Sequence, residues 1–308
     1  MNDLTIVMYH YVRPIKGSRF PGIKGLELEG FRRQLDHLSE KFHIVSTERI
    51  IDAIKNGSKL PSNACWLTFD DGYKDHFKFV LPELLKRNLH GAFFPPRVAI
   101  VDDVVLDVNS IHHILNCATD VEELVSKLNA HCHSCGMAES ETALLYKKLA
   151  VANRFDNANT IYVKRMLQHA LPEELRSSIV NKLFDEFVGI STASFSNELY
   201  MSIDEVQSLV KSGMYVGSHG SRHYWLDKIS PDEQEKDIKE SLTFIEKIGA
   251  ATKDWVMCYP YGAYNNATLT LLQKYQASAA VTTEVRVANL TNDNPFELPR
   301  LDTNDFPQ

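Results

Sequence analysis

Positive charge is in short supply in this chain: 33 Lys and Arg face 40 Asp and Glu among 308 residues, a formal charge of −7, and no Lys/Arg run stands out. A surface that neutralises phosphates needs the opposite balance, so nucleic acid is excluded as an expected partner. Long apolar runs are missing too. No window approaches the 18 or so uninterrupted apolar residues of a membrane span, so no integral membrane segment is expected. The first apolar stretch, Leu4 to Met8, is too short for an export signal and runs into the polar Tyr9-His10-Tyr11. Cysteine is sparse and odd in number, at five, which suits a reducing compartment better than a disulfide framework and makes the cytoplasm the expected location. Repeats and low-complexity tracts are also absent, and the length fits one domain over residues 1–308.

With 44% apolar residues the chain can bury a sizeable core. Short apolar runs alternate with amphipathic segments over the first 95 residues, in the order of βα units. The patterns predict strands at Leu4–Met8, Cys65–Phe69 and Gly91–Phe94, and helices at Phe31–Lys41, Ser46–Lys55 and Lys74–Arg87. The alternation resumes near residue 200. Ser202 with Glu205 and Ser230 with Glu233 fit capping boxes, and Pro231 stands where a first helical residue belongs. Further strands are expected at Met214–Gly217, Trp255–Cys258 and Ala277–Thr282. In between, helical stripes such as Val163, Met166, Leu167 and Ala170 predict a helical insertion over about 101–200. The expected architecture is α/β, a barrel carrying that insertion.

Three short blocks carry the chemistry. Leu67-Thr68-Phe69-Asp70-Asp71-Gly72 puts two adjacent carboxylates where an apolar run stops. Asp-Asp-Gly alone is an ordinary turn signal, but at a strand end facing a barrel mouth such carboxylates can divide the roles of metal ligand and base. Gly217-Ser218-His219-Gly220-Ser221-Arg222-His223 follows a strand-like run with two imidazoles four residues apart. On one helical turn both rings would share a face, and with an Asp they form a two-His, one-carboxylate set with open positions. Gly220 stands where a His-Glu-x-x-His protease needs its glutamate, so that arrangement is excluded. Tyr259-Pro260-Tyr261-Gly262 is the third block, by itself no more than a loop.

Taken together, Thr68–Gly72, Ser218–His223 and Tyr259–Gly262 resemble the successive motifs of the polysaccharide deacetylases, carbohydrate esterase family four, over roughly residues 1–95 and 200–308. The resemblance implies a distorted (β/α)7-type barrel and metal-dependent removal of acetyl groups from N-acetylated sugars or glycans. It implies Asp71, His219 and His223 as ligands of a divalent metal, Zn²⁺ first, with Co²⁺, Ni²⁺ or Fe²⁺ as alternatives. It makes Asp70 the general base toward the attacking water, and the backbone N–H of Tyr261 a donor to the oxyanion.

The chain departs from the family pattern in two places. The arginine that orients the catalytic Asp is replaced at the aligned position by Cys258, and Arg300 in Leu298-Pro299-Arg300-Leu301-Asp302 is the candidate substitute. No histidine comes after His223 to serve as general acid. Met8-Tyr9-His10-Tyr11-Val12 resembles the N-terminal His segment of a circularly permuted branch that includes poly-N-acetylglucosamine deacetylases, which makes His10 the expected acid, on the side of the metal opposite Asp70. His131-Cys132-His133-Ser134-Cys135 is dense in donors but matches no closed zinc spacing, and His112 and His113 read as surface or packing residues. The nearest alternative is an O-acetyl carbohydrate esterase, which the same site would serve; further ones are a non-haem iron oxygenase and, from another class, a catalytically silent glycan-binding barrel.

Overall fold

The computed structural model describes residues 3–153 and 156–307. The chain begins with β1 (Asp3–Tyr9), the short parallel pair β2 (Val12–Arg13) and β3 (Leu26–Glu27), α1 (Leu28–Lys41), β4 (His43–Ile44), α2 (Thr47–Asn56) and β5 (Ala64–Asp70). A helix starting at Lys74 takes a π-type turn over His76–Val80 and continues as α3 (Leu81–Lys86), followed by β6 (Ala92–Phe94) and α4 (Arg97–Val101). Six helices come next: α5 (Asp107–Cys117), α6 (Val121–Ser134), α7 (Glu139–Leu149), α8 (Ala158–Arg165), α9 (Glu173–Val188) and α10 (Thr192–Leu199). The α/β pattern returns with α11 (Ile203–Lys211), β7 (Tyr215–Val216), α12 (Pro231–Lys247), β8 (Trp255–Cys258), α13 (Asn266–Lys274), β9 (Ala277–Val281), β10 (Ala288–Asn289) and β11 (Leu301–Asp302).

Two compact units result. One comprises Met1–Pro14, Lys24–Asp103 and Asn197–Gln308. Its strands pair in the order β10-β1-β5-β6-β7, all parallel except β10. Parallel bridges Ser218–Met257 and Val281–Leu298 extend the pairing through β8 and β9 to the segment entering β11, which pairs back onto β1. Seven parallel positions (β1, β5, β6, β7, β8, β9 and the 298–302 segment) thus run in a ring with thin seams, the distorted barrel expected from the resemblance. Each sequence-predicted strand and helix of this unit is present, with ends displaced by at most three residues and Trp255–Cys258 matched at both ends. Both capping boxes form, on α11 and α12.

Period-two alternation sorts the side chains. Leu4, Ile6, Ala64, Trp66, Ala92, Phe94, Val256, Cys258, Ala279 and Val281 meet in one buried cluster. The opposite parity of β1, β5 and β6 brings Tyr9, Phe69 and Phe93 into a stack with centroids 5.0 and 4.8 Å apart. Along β1 and β5 the inward parity runs on to His10 and Asp70, at the C-terminal mouth where barrel chemistry sits.

The second unit comprises Ile15–Ile23 and Val104–Ser196. The expected stripes bury against one another in a core of their own, with Leu124, Leu128, Val163, Met166, Leu167, Ile179, Leu183 and Phe184 all inaccessible. The short Ile15–Ile23 stretch joins this unit although it lies near the N-terminus, a membership that its sequence gives no sign of. The His131–Cys135 run is not a ligand cluster. On α6, His131 turns to Glu186 (2.9 Å) and His133 to Thr142 (2.9 Å) and Cys132 is buried, while Cys135, just past the helix, is exposed. His113 is fully buried between Phe20 and Phe195, a packing residue as expected.

Candidate metal centre

All seven sequence-predicted site residues lie in the barrel unit, six of them at or beyond the C-terminal ends of its strands and Arg300 just before β11. Asp70 closes β5. Asp71 and Gly72 then take left-handed backbone angles, φ 70° and 71°, which swing the chain off the strand. Asp tolerates that region, and glycine is required next because a Cβ on Gly72 would lie 2.8 Å from Pro95 Cβ. The sharp turn sends the two adjacent carboxylates in different directions.

Beyond β7, the Ser218–His223 segment is a loop and not the helical turn proposed from its spacing. Gly220 and His223 both have positive φ, 69° and 59°, and this folding brings both imidazole Nε2 atoms to 3.3 Å from one oxygen, Asp71 Oδ1. The rings are 4.8 Å apart at 73°. Asp71 Oδ2 accepts a 2.5 Å hydrogen bond from the buried Tyr73 hydroxyl, a partner that sequence reasoning missed. Burial pushes the Asp71 carboxyl up, but the two imidazoles overcome it and hold the group well below the usual range.

His219 makes a specific test of what these donors hold. Its Nδ1 lies 2.7 Å from the Cys258 carbonyl oxygen, which can only accept, so Nδ1 carries the proton. In the neutral ring Nε2 then presents a lone pair to a carboxylate oxygen that also has only lone pairs to offer. Either a proton on Nε2, which the neighbouring carboxylates favour against burial, or a metal cation among Asp71, His219 and His223 removes that conflict, and one nitrogen-nitrogen-oxygen set fits a divalent metal with open positions. Asp70, His219 and Cys258 form a second convergent set. There the positive charge is already supplied by Arg300.

Arg300 is 1% exposed and grips Asp70 with two nitrogens, Nη1 to Oδ1 at 2.9 Å and Nη2 to Oδ2 at 2.8 Å. Nε donates to the Thr282 carbonyl (2.8 Å) and Nη1 also to Thr68 Oγ1 (3.1 Å), whose hydroxyl in turn donates to the Val7 carbonyl (2.7 Å). Burial pushes the Asp70 carboxyl up, yet the adjacent guanidinium wins and holds it at about 2, so the group is ionised at any working pH. Cys258, on the inward parity of β8, is too small to span this distance and leaves the volume to Arg300.

His10 is where the expectation needs correcting. Its Nε2 lies 3.9 Å from Asp70 Oδ2, beside the carboxylate and not on the opposite side of the ligand set. Strand register is the reason: β1 and β5 pair with Tyr9 opposite Phe69, so the next residues on each, His10 and Asp70, emerge side by side. The His10 side chain is 42% exposed, open to solvent. Its backbone carbonyl accepts from the buried His76 Nε2 at 3.0 Å, and burial drives His76 down to about 4, leaving that ring neutral.

Tyr261 follows Pro260 with φ 59° and ψ 8°. Its ring meets His223 at 4.7 Å and stacks on Trp225 at 4.3 Å and 7°, which pins this left-handed residue against the imidazole pair.

Residues 187–280 match the family model for polysaccharide deacetylase, a stretch that includes His219, His223 and Tyr261. No curated protein sequence matches the chain. Among solved structures it is similar to the Streptococcus pyogenes deacetylase PplD in complex with acetate, at 16% identity and a TM-score of 0.59, covering 97% of this chain and 92% of that one. IcaB from Ammonifex degensii is similar at 17% identity and a TM-score of 0.58, covering 98% and 91%. The de-N-acetylase from Aggregatibacter actinomycetemcomitans gives 16%, 0.54, and 98% and 95%. The resemblance read from the sequence holds, and the fold is shared over nearly the whole chain.

Proposed function

We propose that this chain is a metal-dependent carbohydrate deacetylase that hydrolyses the acetamido group of an N-acetylated sugar. The observation that carries the reading is the convergence of Asp71, His219 and His223 on one point, beside an Asp70 carboxylate kept ionised by Arg300. A divalent cation held by the three ligands, Zn²⁺ by first expectation, would polarise the acyl oxygen and make water acidic enough to attack near neutral pH. Asp70 is the base that accepts the proton of the attacking water, and Arg300 fixes its two oxygens in place. Tyr261 directs its backbone N–H at the developing oxyanion. His10, exposed beside Asp70, donates the proton that the leaving amine needs. The solved structures of like fold include one described as a de-N-acetylase and one described with acetate, which supports an acetyl group as the piece removed.

The test is acetate release from N-acetylglucosamine oligomers and N-acetylated nucleotide sugars, with O-acetylated xylan as the ester comparison and metal content measured on the same protein. Acetate from an acetamido substrate, dependent on one metal per chain, is the expected result. Release from the ester alone would replace the reading by an O-acetyl esterase, and no release with metal bound would favour a glycan-binding barrel.

A further inference from the structure

The loop between the two histidines has no regular ladder to satisfy it: the Gly220 and Ser221 carbonyls accept from the Arg97 and Val98 N–H groups, while the Ser221 and Arg222 N–H groups turn to one face of α12. Asp237 Oδ2 accepts from the Ser221 N–H at 2.9 Å and Oδ1 from the Arg222 N–H at 2.8 Å. One turn further along, Glu240 accepts from the Ser221 hydroxyl at 2.9 Å, and the Ser241 hydroxyl meets that of Ser218 at 2.7 Å. Positions 237, 240 and 241 have the i, i+3, i+4 spacing that shares a helix face. Asp237 is 3% exposed and sits in the buried stripe of α12 with Gln234, Ile238, Ser241 and Phe244. A carboxylate in such a stripe needs a reason, because burying it unpaired is expensive. Its reason here is two consecutive backbone donors.

The fit is close as well as polar. A Cβ on Gly220 would lie 2.7 Å from Asp237 Oδ2, so the loop backbone approaches the carboxylate as nearly as glycine allows. Ser221 and Arg222 are the residues between the left-handed positions Gly220 and His223. Fixing their amides fixes the path by which His219 and His223 reach a common point.

We propose that Asp237 is the positioning residue of the metal centre: it clamps the Gly220–Arg222 backbone so that the two imidazoles are set for a divalent cation before one arrives. The proposal rests on the ligand set assigned under the proposed function. Asp237 itself is not a ligand. Removing it leaves all three donors present but their spacing unenforced, and supporting groups of this kind are worth about 10- to 100-fold in metal affinity.

The experiment is titration of metal-free protein with Zn²⁺ and Co²⁺, reading Kd and the Co²⁺ visible spectrum, together with the Tm of the metal-free forms. Asp237→Asn should weaken Kd by about 10- to 100-fold and alter the Co²⁺ bands, since an amide can accept only one of the two N–H bonds. Phe244→Leu, in the same helix, should lower Tm while leaving Kd and spectrum unchanged. Gly220→Ala approaches the clamp from the loop side, where the added methyl pushes the backbone off the carboxylate, and should weaken Kd in the same range. It keeps the proposal testable if Asp237→Asn does not fold. Wild-type Kd and spectrum in Gly220→Ala, or in folded Asp237→Asn, would overturn the clamp while leaving the metal reading intact. A wild-type protein that binds neither metal would instead remove the ligand set.

Discussion

At the scale of single residues, the Asp70–Arg300 pair makes the sharpest expectations. Asp70→Asn should keep its metal and lose about 10²- to 10⁴-fold in kcat, because an amide cannot take the proton of water. Metal analysis beside steady-state kinetics checks it, and near-normal turnover would end the assignment of Asp70 as base. Arg300→Met acts through pH. In the wild type the Asp70 carboxyl lies at about 2, below its ordinary 3.8. The pair's stability is therefore complete above about pH 4 and lost as pH falls toward 2. Without the guanidinium, burial is opposed only by the neighbouring His10 and His219, and the carboxyl rises. The stability that the pair adds above about pH 4 then shrinks, and the acid limb of kcat/KM moves toward neutrality. An unchanged limb in Arg300→Met would show that Asp70 is not what titrates. His10→Ala should retain fold and metal and lose about 10²- to 10⁴-fold in rate. Near-normal turnover in His10→Ala would assign the acid elsewhere.

At the scale of elements, the site is made by the residues just past the strand ends. β1, β5 and β8 hand their inward parity to His10, Asp70 and Cys258, and that much is readable from alternation and from turn residues at the strand ends. The loop after β7 is less legible. A spacing of four suggests a helical turn, whereas two positive-φ residues and the Asp237 clamp produce the convergence instead. Asp237 does carry a signal in the sequence, namely an acid on the apolar stripe of an otherwise regular amphipathic helix. Tyr73 carries none, since a tyrosine after Asp-Asp-Gly has many ordinary uses. Because this loop supplies two of the three proposed ligands, either His219→Ala or His223→Ala should reduce metal occupancy severely, leaving one imidazole and one carboxylate. Elemental analysis of the two purified variants decides it, and full occupancy in both would dismantle the centre.

At the scale of the molecule, Asp71 and the His219–His223 loop are brought together from distant parts of the chain, so a bound cation links segments that an unfolded chain keeps apart. Binding to the folded state alone stabilises by about 2.7 kcal/mol at a metal concentration one hundred times Kd. Chelation should therefore lower Tm by several degrees, reversibly and with a dependence on metal concentration, and a Tm indifferent to chelator would argue against a site formed only on folding. The sequence by itself determined the strands, the helices, the ligand types and the family resemblance, because these rest on local periodicity, capping and short motifs whose partners lie within a few residues. The placements of Arg300 near the C-terminus and His10 near the N-terminus have no such local partners. Ring closure fixes where both side chains lie. The parallel return of 298–302 beside β1 buries Arg300 against Asp70, and the β1–β5 register sets His10 beside the same carboxylate, where the resemblance alone puts it across the metal. Which strand neighbours which, and in what register, is fixed by packing the whole barrel at once, so no local window of sequence contains it.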